Sequence, residues 1–355
     1  MQDPEQRNGR VAGHAARIAA AAQALSVAGV RVQRDVALAR LARWQIGGPA
    51  DLVAHPVDTA QVALVVGIAR AQGLPLFTMG DGSNMLFDDD GFRGIILQIG
   101  SGPEGSGLDG FVAAGTTVRA GAGLWVPCLA RRLAGLGLSG LEHIVGIPGR
   151  LGGLVVMNGG SQRKGIGNHI HAVTVVRPNG QIQRMDQAAL DYRYRASALQ
   201  GAGAIVTEVE LALVPGDAGA VRRVMVGILA DRRRKFPKNL PNCGSTFLSN
   251  PAMYDTVGPP GQAIEAAGLK GVAIGGAQVS PLHANFVVNR GGARATEVLA
   301  LVALIRETVR AQTGFAMDCE VRYLTQTGEE RPVHAFTDAG RFDQTLMDRV
   351  EWPVT

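Results

Sequence analysis

The sequence predicts a mixed α+β protein with two or three domains, and three observations predict it. The chain has 355 residues, whereas a domain has roughly 150. Short apolar segments with strand character alternate with helical segments up to Pro215-Gly216-Asp217, and helical segments dominate after that point. Hydrophobic residues make up 46% of the chain and charged residues 18%, which is enough apolar surface for a buried core and excludes broad disorder.

Helices are predicted where apolar residues recur at helical spacing and the ends carry capping or stop residues. Asp58 is a good N-cap for a helix that Gly73 terminates. Pro127 is tolerated because it falls in the first turn of its helix. The longest helix, near the C-terminus, places its apolar residues on one face. The predicted helices span residues 14–29, 58–71, 125–136, 219–234, 261–268 and 293–313.

Strands are predicted in short apolar runs that turn residues interrupt. The dipeptide Asn179-Gly180 is the strongest local signal for a tight hairpin, so residues 173–185 are expected to form two paired strands. The other predicted strands are residues 75–79, 94–99, 112–120 and 204–214. The last thirty residues, from Gln326 onward, are polar and show no pattern, so they are expected to form an appended tail.

Charge and cysteine content exclude several classes of function. The net charge is +5, and only four of the 35 basic residues are lysines. The excess of arginine has two interpretations, a bias in codon usage or an affinity for anionic small molecules. The basic residues form no stripe interleaved with aromatic residues, so no nucleic-acid partner is expected. Three cysteines without CxxC spacing argue against disulfides and zinc. His169 and His171 lack a third ligand nearby, and no metal site is expected.

The N-terminus and the hydropathy pattern predict a cytoplasmic protein. Asp3 and Glu5 precede any apolar stretch, which is unlike a signal peptide. No apolar run approaches the ~20 residues that a membrane-spanning helix needs. No membrane partner is therefore expected.

Two glycine-rich loops are candidate ligand cradles in a chain that contains 48 glycines. Gly80-Asp81-Gly82-Ser83-Asn84 follows a strand and fits either a tight turn or a backbone nest for an anion. It lacks the third glycine of a Rossmann fingerprint and the Gly-Lys-Ser/Thr of a P-loop. Residues 146–153 hold four glycines and a proline, a density that favours a flat or phosphorylated ligand lying on bare backbone. Arg150 within this loop is a candidate contact for a pyrophosphate.

Three further stretches carry polar groups that local structure does not demand. They are Tyr194-Arg195-Ala196-Ser197, Asn242-Cys243-Gly244-Ser245 and Glu320-Val321-Arg322. Each also has an ordinary structural interpretation when it is taken alone: a turn beside a hairpin, a loop serine and a solvated ion pair.

Taken in order, these motifs resemble the UDP-N-acetylenolpyruvoylglucosamine reductases, also called UDP-N-acetylmuramate dehydrogenases. The resemblance covers residues 40 to 325, and twelve strings in the family's order carry it. The matching strings are Ile46-Gly47-Gly48-Pro49-Ala50, Gly80-Asp81-Gly82-Ser83-Asn84, Gly91-Phe92-Arg93-Gly94, Gly137-Leu138-Ser139-Gly140-Leu141-Glu142, Gly146-Ile147-Pro148-Gly149, Met157-Asn158, Tyr194-Arg195-Ala196-Ser197, Gly244-Ser245, Ala267-Gly268-Leu269-Lys270-Gly271, Gly275-Gly276-Ala277-Gln278-Val279-Ser280, His283-Ala284-Asn285-Phe286 and Glu320-Val321-Arg322.

The resemblance implies a fold and a reaction. The fold is an FAD-binding domain of the vanillyl-alcohol-oxidase type, made of two α/β subdomains, plus a smaller α+β substrate domain. The expected boundaries are an N-terminal helical extension at 1–35, the FAD-binding domain at 36–216, the substrate domain at 217–325 and a polar tail at 326–355. FAD is expected to bind without a covalent link. NADPH reduces the flavin, and the enolpyruvyl ether of UDP-N-acetylglucosamine then takes a hydride from flavin N5 and a proton on the adjacent carbon. A monomer is expected.

The resemblance also assigns roles to residues of this chain. Arg195 is similar to the arginine that stabilises charge on the substrate carboxylate, Glu320 to its carboxylic partner, and Ser245 to the serine that supplies the proton. The residues expected to bind substrate are Tyr194, Lys235 and Asn250. The residues expected to bind the cofactor are Ile46, Gly47, Gly48, Gly80, Gly82, Ser83, Asn84, Met85, Gly146, Ile147, Pro148, Gly149, Gly152 and Gly153.

Several departures from the family pattern leave alternatives open. Arg150 stands where a small hydroxyl residue is common, and the stretch from Ser245 to Asn250 is one residue longer than usual. No tyrosine-bearing insertion follows Tyr194, as in a shorter branch of the family. One alternative is a flavin-dependent sugar oxidase or specialised-metabolism reductase of the same architecture. A second is a flavin- or nucleotide-sugar-binding regulator without activity. Because Cys243 and Cys319 lie beside Ser245 and Glu320, oxidation of either thiol is a hypothetical route to inhibition.

Overall fold

A computed structural model describes residues 4–102 and 107–353 of the chain. Within these residues the α-helices are α1 (Pro4–Val27), α2 (Thr59–Ala71), α3 (Val126–Gly135), α4 (Leu151–Val156), α5 (Ala218–Lys235), α6 (Pro251–Tyr254), α7 (Pro260–Ala266), α8 (Ala295–Thr313) and α9 (Val333–Asp338). Short 3₁₀ helices lie at Leu38–Arg40, Gly107–Asp109, Glu142–Ile144, Ile166–His169, Gln187–Leu190 and Gln344–Arg349. No helix in the described part of the chain has the length and hydropathy needed to cross a bilayer.

The strands of the same residues are mostly short. They are β1 (Arg31–Ala37), β2 (Pro49–His55), β3 (Leu76–Met79), β4 (Met85–Phe87), β5 (Phe92–Gln98), β6 (Phe111–Ala114), β7 (Thr117–Gly121), β8 (Leu138–Ser139), β9 (Ile170–Val176), β10 (Ile182–Asp186), β11 (Ile205–Ala212), β12 (Val214–Pro215), β13 (Ala273–Ile274), β14 (Ala277–Val279), β15 (Val287–Asn289), β16 (Arg322–Leu324), β17 (Glu330–Pro332) and β18 (Val350–Glu351). Helix and strand contents together confirm the predicted α+β class.

The chain divides into two compact units, each assembled from separate stretches of sequence. The first unit comprises Met1–Asp35, Asp51–Gly80 and Gly94–Arg232. The second unit comprises Val36–Ala50, Asp81–Arg93 and Arg233–Thr355. This division differs from the expected boundary near residue 216, because residues 36–50 and 81–93 group with the C-terminal part of the chain.

The first unit is built on two main sheets. One has the order β1-β2-β5-β3, with β3 and β5 parallel and Leu76 opposite Ile95. The other has the order β10-β9-β11-β7-β6 and is antiparallel throughout. Its central strands β9 and β11 carry fully buried Val173, Val175 and Val209, which explains their apolar sequences.

Local signals in the first unit are confirmed where they are strongest. Helix α2 begins after Asp58, whose carboxylate accepts the N–H of Gln61 at 2.8 Å, and Gly73 follows its end at φ +57°. The β9–β10 hairpin turns at Gly180, with Ile182 opposite Val176. The predicted single strand at 112–120 is wrong. It is a hairpin of β6 and β7, because Gly115 takes φ +61° and reverses the chain.

The second unit contains two short sheets, one of which packs against α8 through β13 and β14. One sheet has the order β15-β14-β13-β18, and another has the order β17-β16-β4. The apolar face predicted for the long helix is confirmed, since Val298, Leu301 and Ile305 are fully buried. Asp89 caps α8 from a distant loop by accepting the N–H of Ala295 at 2.7 Å.

The expectation of an appended polar tail from residue 326 is wrong. Strand β17 pairs with β16, and β18 adds an antiparallel edge to β13, with Ile274 opposite Val350. Val333, Phe336 and Leu346 lie in the core of the second unit. Their apolar side chains are separated by polar residues, so the segment shows no regular period although it is folded.

Candidate active site

The turn at residues 192–197 of the first unit presents Arg195 in a left-handed backbone conformation. Its φ is +53°, which is unusual for a residue with a Cβ and costs on the order of 1 kcal/mol. The turn is closed by reciprocal backbone hydrogen bonds between Arg193 and Ala196. The guanidinium donates to the carbonyl of Gly160 at 3.0 Å and lies 5.7 Å from the centre of the Tyr194 ring. The turn and the hydrogen bond to Gly160 together orient the Arg195 side chain.

Asn158 braces this turn, and sequence reasoning assigned it no role. Its side-chain amide donates to the carbonyl of Arg193 at 2.9 Å, and its Oδ1 accepts the N–H of Gly167 at 2.9 Å. The Asn158 backbone is itself left-handed, with φ +42°. The string Met157-Asn158 belonged to the resemblance, and a polar residue after the buried end of a helix was the available signal.

The glycine-rich loop at 146–153 leads into α4 in the first unit. Gly152 packs closely, since its N–H donates to Ala122 at 2.7 Å and an added Cβ would lie 3.0 Å from the Ala122 Cβ. Gly153 faces open space, with no described atom outside its chain neighbours and its own helix backbone within 4 Å of an added Cβ. In this loop, Gly152 is therefore needed for close packing against Ala122, whereas Gly153 leaves open space at the surface of α4.

Arg150 in the same loop is oriented by the protein. Its guanidinium donates to the carbonyl of Gly123 at 2.9 Å and lies 3.6 Å from the Asp109 carboxylate. Its aliphatic part lies against Gly80, where an added Cβ would be 2.7 Å from the Arg150 Cγ. Gly80 is therefore required by the arginine that packs on it.

In the second unit, the loop that follows Gly80 continues into β4. Gly82 has φ +56°, and the backbone N–H groups of Gly82, Ser83 and Asn84 donate to no acceptor among the residues that the structure describes. Successive free N–H groups at such a turn form a nest for an anion. The donors present in this loop fit the diphosphate of a dinucleotide cofactor.

Three segments that contain candidate site residues meet within the second unit. Strand β4 runs parallel to β16, with Met85 opposite Arg322. The Asn84 amide donates to the carbonyl of Glu320 at 3.0 Å. The Cys243 thiol donates to the carbonyl of Met85 at 3.3 Å. The loop predicted to bind the cofactor is thus tied to both of the segments that carry Ser245 and Glu320.

Ser245 and Glu320 are carried by neighbouring backbone segments. Phe247 and Cys319 form an antiparallel bridge, and the N–H of Glu320 donates to the carbonyl of Thr246 at 2.9 Å. Gly244 has φ +81° and turns the chain immediately before Ser245. Residues separated by about 75 positions in the sequence are therefore brought to one place in the second unit.

Gly47 and Gly48 have a structural explanation within the second unit. An added Cβ on Gly47 would lie 2.6 Å from the Phe87 Cβ, and one on Gly48 would lie 2.2 Å from the carbonyl oxygen of Asp89. Ile46 is buried in the core, 2% exposed. The requirement for glycine comes from the Phe87 side chain of β4 at Gly47 and from the backbone of the loop that follows β4 at Gly48.

The residues predicted to bind substrate are exposed. Tyr194 in the first unit is 57% exposed. In the second unit, Lys235 lies at the end of α5, and Asn250 caps α6 by accepting the N–H of Ala252 at 3.0 Å.

His283, which matched a family string without an assignable role, is part of an aromatic cluster. Its ring lies 5.3 Å from that of Phe236 and 5.1 Å from that of Phe286. Burial lowers its pKa. This environment is that of a packing residue.

Comparisons with known proteins identify both domains of the chain. The FAD binding domain family matches residues 50–186, and the C-terminal domain of UDP-N-acetylenolpyruvoylglucosamine reductase matches residues 236–324. UDP-N-acetylenolpyruvoylglucosamine reductase 1 of Corynebacterium glutamicum is 46% identical over 87% of this chain and 90% of its own length. The reductase of Heliobacterium modesticaldum is 42% identical over 82% of this chain and 90% of its own.

A solved structure supports the same assignment. The crystal structure of the UDP-N-acetylenolpyruvylglucosamine reductase of Thermus caldophilus superimposes with a TM-score of 0.68 at 30% identity, covering 83% of this chain and 99% of that one. The predicted FAD-binding fold is confirmed by the domain match. The chain belongs to the UDP-N-acetylenolpyruvoylglucosamine reductase family.

Proposed function

We propose that this protein reduces UDP-N-acetylglucosamine enolpyruvate to UDP-N-acetylmuramate, a step of peptidoglycan precursor synthesis, with NADPH as reductant and FAD as bound cofactor. The observation that carries the proposal is the meeting of three segments in the second unit. The Ser245 loop and the Glu320 segment are bridged through Phe247 and Cys319, and both are tied to the loop at 82–85. The backbone segments that carry the proposed proton donor and its carboxylate partner thus adjoin the loop at 82–85.

When bound, FAD supplies the hydride that adds to the methylene carbon of the enolpyruvyl group. The chain's own residues handle charge and the proton. Arg195, whose planar guanidinium matches a carboxylate, stabilises the negative charge that develops toward the substrate carboxylate. Ser245 delivers a proton to the carbon that bears the ether oxygen. Glu320, on the segment next to Ser245, assists charge stabilisation and proton delivery.

The N–H groups of Gly82, Ser83 and Asn84 would hold the cofactor diphosphate. Gly153 leaves room beside α4 for a flat ligand in the first unit. Lys235, Asn250 and Tyr194 are exposed groups that suit the uridine diphosphate part of the substrate. These assignments rest on family resemblance and on exposure.

The test is the flavin spectrum of the holoenzyme under anaerobic conditions. NADPH is added first, and bleaching of the flavin is expected. UDP-N-acetylglucosamine enolpyruvate is then added, and stoichiometric return of colour is expected, with the UDP-N-acetylmuramate product identified by mass spectrometry.

Two outcomes would overturn the proposal. Bleaching without recovery on addition of the enolpyruvyl sugar, but rapid recovery in oxygen, would indicate an oxidase of the same architecture. A colourless protein that takes up no FAD would contradict the cofactor assignment itself.

A further inference from the structure

The segment that carries Glu320 is held from one side by the C-terminal part of the chain. Nδ1 of His334 in α9 accepts the backbone N–H of Cys319 at 2.8 Å. The N–H of Val333 donates to the carbonyl of Val321 at 3.0 Å. These two hydrogen bonds flank Glu320 on both sides along the chain.

An ion pair and a pair of strands add to the contact between the C-terminal part of the chain and the segment that carries Glu320. Arg322 pairs with Glu330, and its Nη2 lies 3.0 Å from Oε2 of that carboxylate. Strand β17 pairs antiparallel with β16, with Arg322 opposite Pro332. The family C-terminal domain matches residues only as far as 324, so the groups that hold the segment lie beyond the matched region.

The His334 ring has a defined tautomer. Because Nδ1 accepts a hydrogen bond from an N–H group, the ring proton of neutral His334 is on Nε2. Nε2 lies 3.5 Å from Oδ1 of Asp318, two residues before Glu320. The side chain of His334 is 19% exposed, so solvent competes little for the Nδ1 acceptor.

We infer that His334 is a positioning residue for Glu320, which holds the backbone of the 318–322 segment in place through the N–H of Cys319 and releases it when the imidazole is protonated. This inference rests on the proposed function, in which Glu320 acts beside Ser245. His334 acts through the backbone, and no contact of its side chain with substrate or cofactor is invoked.

The release follows from hydrogen-bond chemistry. A protonated imidazole has donors at both nitrogens, so Nδ1 can no longer accept the N–H of Cys319. The charged groups facing His334 are Asp318 on the 318–322 segment, Arg306 on α8 and Asp338 on α9. Arg306 pairs with Asp338 and donates to the carbonyl of Met317 at 2.7 Å. Burial is the largest influence and lowers the pKa of His334 against the attraction of the two carboxylates.

The neutral acceptor form therefore prevails at neutral pH. The hydrogen bond is lost as the pH falls below the ordinary histidine value of about 6.5. The expected functional consequence is an acid limb in the rate at which the enolpyruvyl substrate reoxidises the flavin. Reduction by NADPH is expected to lack this limb, because that half-reaction does not use Glu320.

Two variants at one position separate positioning from general packing. In His334→Asn the amide oxygen replaces Nδ1 as an acceptor that cannot be protonated in this range. It should keep the reoxidation rate at pH 7.5 within about threefold and lose the acid limb. In His334→Leu the acceptor is absent, and the rate should fall by about 10-fold to 100-fold with flavin reduction unchanged.

Leu346→Ala is the control for destabilisation, since Leu346 is buried in the same unit without a bond to the 318–322 segment. Its stability should fall, measured by thermal unfolding, while its pH profile stays that of the unmodified holoenzyme. Glu320→Gln is measured alongside, and it should slow reoxidation.

Each outcome supports or overturns the inference. If Glu320→Gln slows reoxidation, two results would overturn the role of His334 and leave the proposed function intact. One is that His334→Asn keeps the pH profile of the unmodified enzyme. The other is that His334→Leu behaves like Leu346→Ala. Normal reoxidation in Glu320→Gln, or holoenzyme that the enolpyruvyl sugar never reoxidises, would overturn the proposed role of Glu320 and the inference that rests on it.

Discussion

At the scale of single residues, Ser245 lies between a left-handed glycine and a buried threonine. Gly244 turns the chain at φ +81°, and Thr246 is fixed on both sides by its N–H to Asn285 and its carbonyl to Glu320. The neighbouring backbone therefore holds Ser245 in place. A change confined to that hydroxyl should alter chemistry and spare the fold.

Ser245→Ala should leave reduction of the flavin by NADPH unchanged and slow reoxidation by the enolpyruvyl sugar by about 10² to 10⁴-fold, the usual effect of removing a general acid. Stopped-flow absorbance of the flavin measures both half-reactions. Ser245→Cys is the matched control, because it keeps a proton donor and should lose less. Equal losses in both half-reactions would contradict the assigned role.

Cys243 and Cys319 adjoin the candidate site, and their thiols are buried and protonated. Both are buried, and burial raises the pKa of each to about 12. A thiol reacts as its thiolate, so the hypothesis of inhibition by oxidation finds no reactive group at either position. Both side chains pack in the core of the second unit as small apolar residues do.

Brief alkylation of the native protein with iodoacetamide at pH 8 should therefore modify Cys128, which is partly exposed, and leave Cys243 and Cys319 intact. Peptide mass spectrometry of the three sites measures this. Alkylation in denaturant, where all three should react, is the control. Rapid labelling of Cys243 in the native protein would show that the second unit opens locally.

At the scale of elements, the C-terminal segment is part of the second unit rather than an appendage. Phe336 of α9 is 2% exposed and meets the Tyr323 ring edge-to-face at 5.0 Å. Trp352, near the end of β18, is 58% exposed. Two aromatic residues of one segment thus differ in exposure, since Phe336 is buried in the core and Trp352 lies at the surface.

Phe336→Ala should lower the free energy of unfolding by ~3–5 kcal/mol, as truncations of fully buried aromatic residues do. Trp352→Ala, the control in the same segment, should change it by less than ~1 kcal/mol. Urea unfolding followed by circular dichroism measures both. Similar small effects would favour the tail that the sequence led us to expect.

At the scale of the whole molecule, buried neutral histidines make stability depend on pH. His55 is 4% exposed, and its ring nitrogens lie 2.8 Å from Ser101 Oγ and from Gln33 Oε1. His143 is 3% exposed, and neither ring nitrogen makes a hydrogen bond of good geometry with the described residues. Burial first, with nearby cationic groups second, lowers the pKa of each to about 4 from 6.5.

The sign follows from proton binding. Between pH 6.5 and 4 the unfolded chain binds protons at these histidines and the folded chain does not, so the free energy of unfolding falls as the pH falls through this window. Each histidine contributes up to about 3 kcal/mol to this loss. Equilibrium unfolding in urea from pH 7.5 to 4 measures the slope.

His143→Phe is the matched variant, because it replaces a buried polar ring by an apolar one. It should raise the free energy of unfolding at pH 7 by ~1–3 kcal/mol and flatten the slope below pH 6.5. A slope unchanged by this substitution would mean that His143 is not the group that titrates.

Much of the local structure was predictable because short-range interactions determine it. The limits of α2 follow from Asp58 and Gly73, the β9–β10 turn from Asn179-Gly180, and the buried face of α8 from its apolar spacing. The hairpin of β6 and β7 was missed because Gly115 interrupts a run whose residues all suit a strand. The motif strings predicted the family and the FAD-binding domain, since the order of many short strings is visible without a fold.

The sequence by itself determined the secondary structure elements with strong caps and turns, the α+β class and the family. Only the tertiary structure decided that residues 36–50 and 81–93 join the C-terminal unit, that the segment after residue 326 is folded, and that Ser245, Glu320 and the loop at 82–85 meet. The physical reason is that these features depend on hydrogen bonds and apolar contacts between residues far apart in sequence. Such pairings depend on which surfaces the whole fold brings together, and no local propensity or period records them.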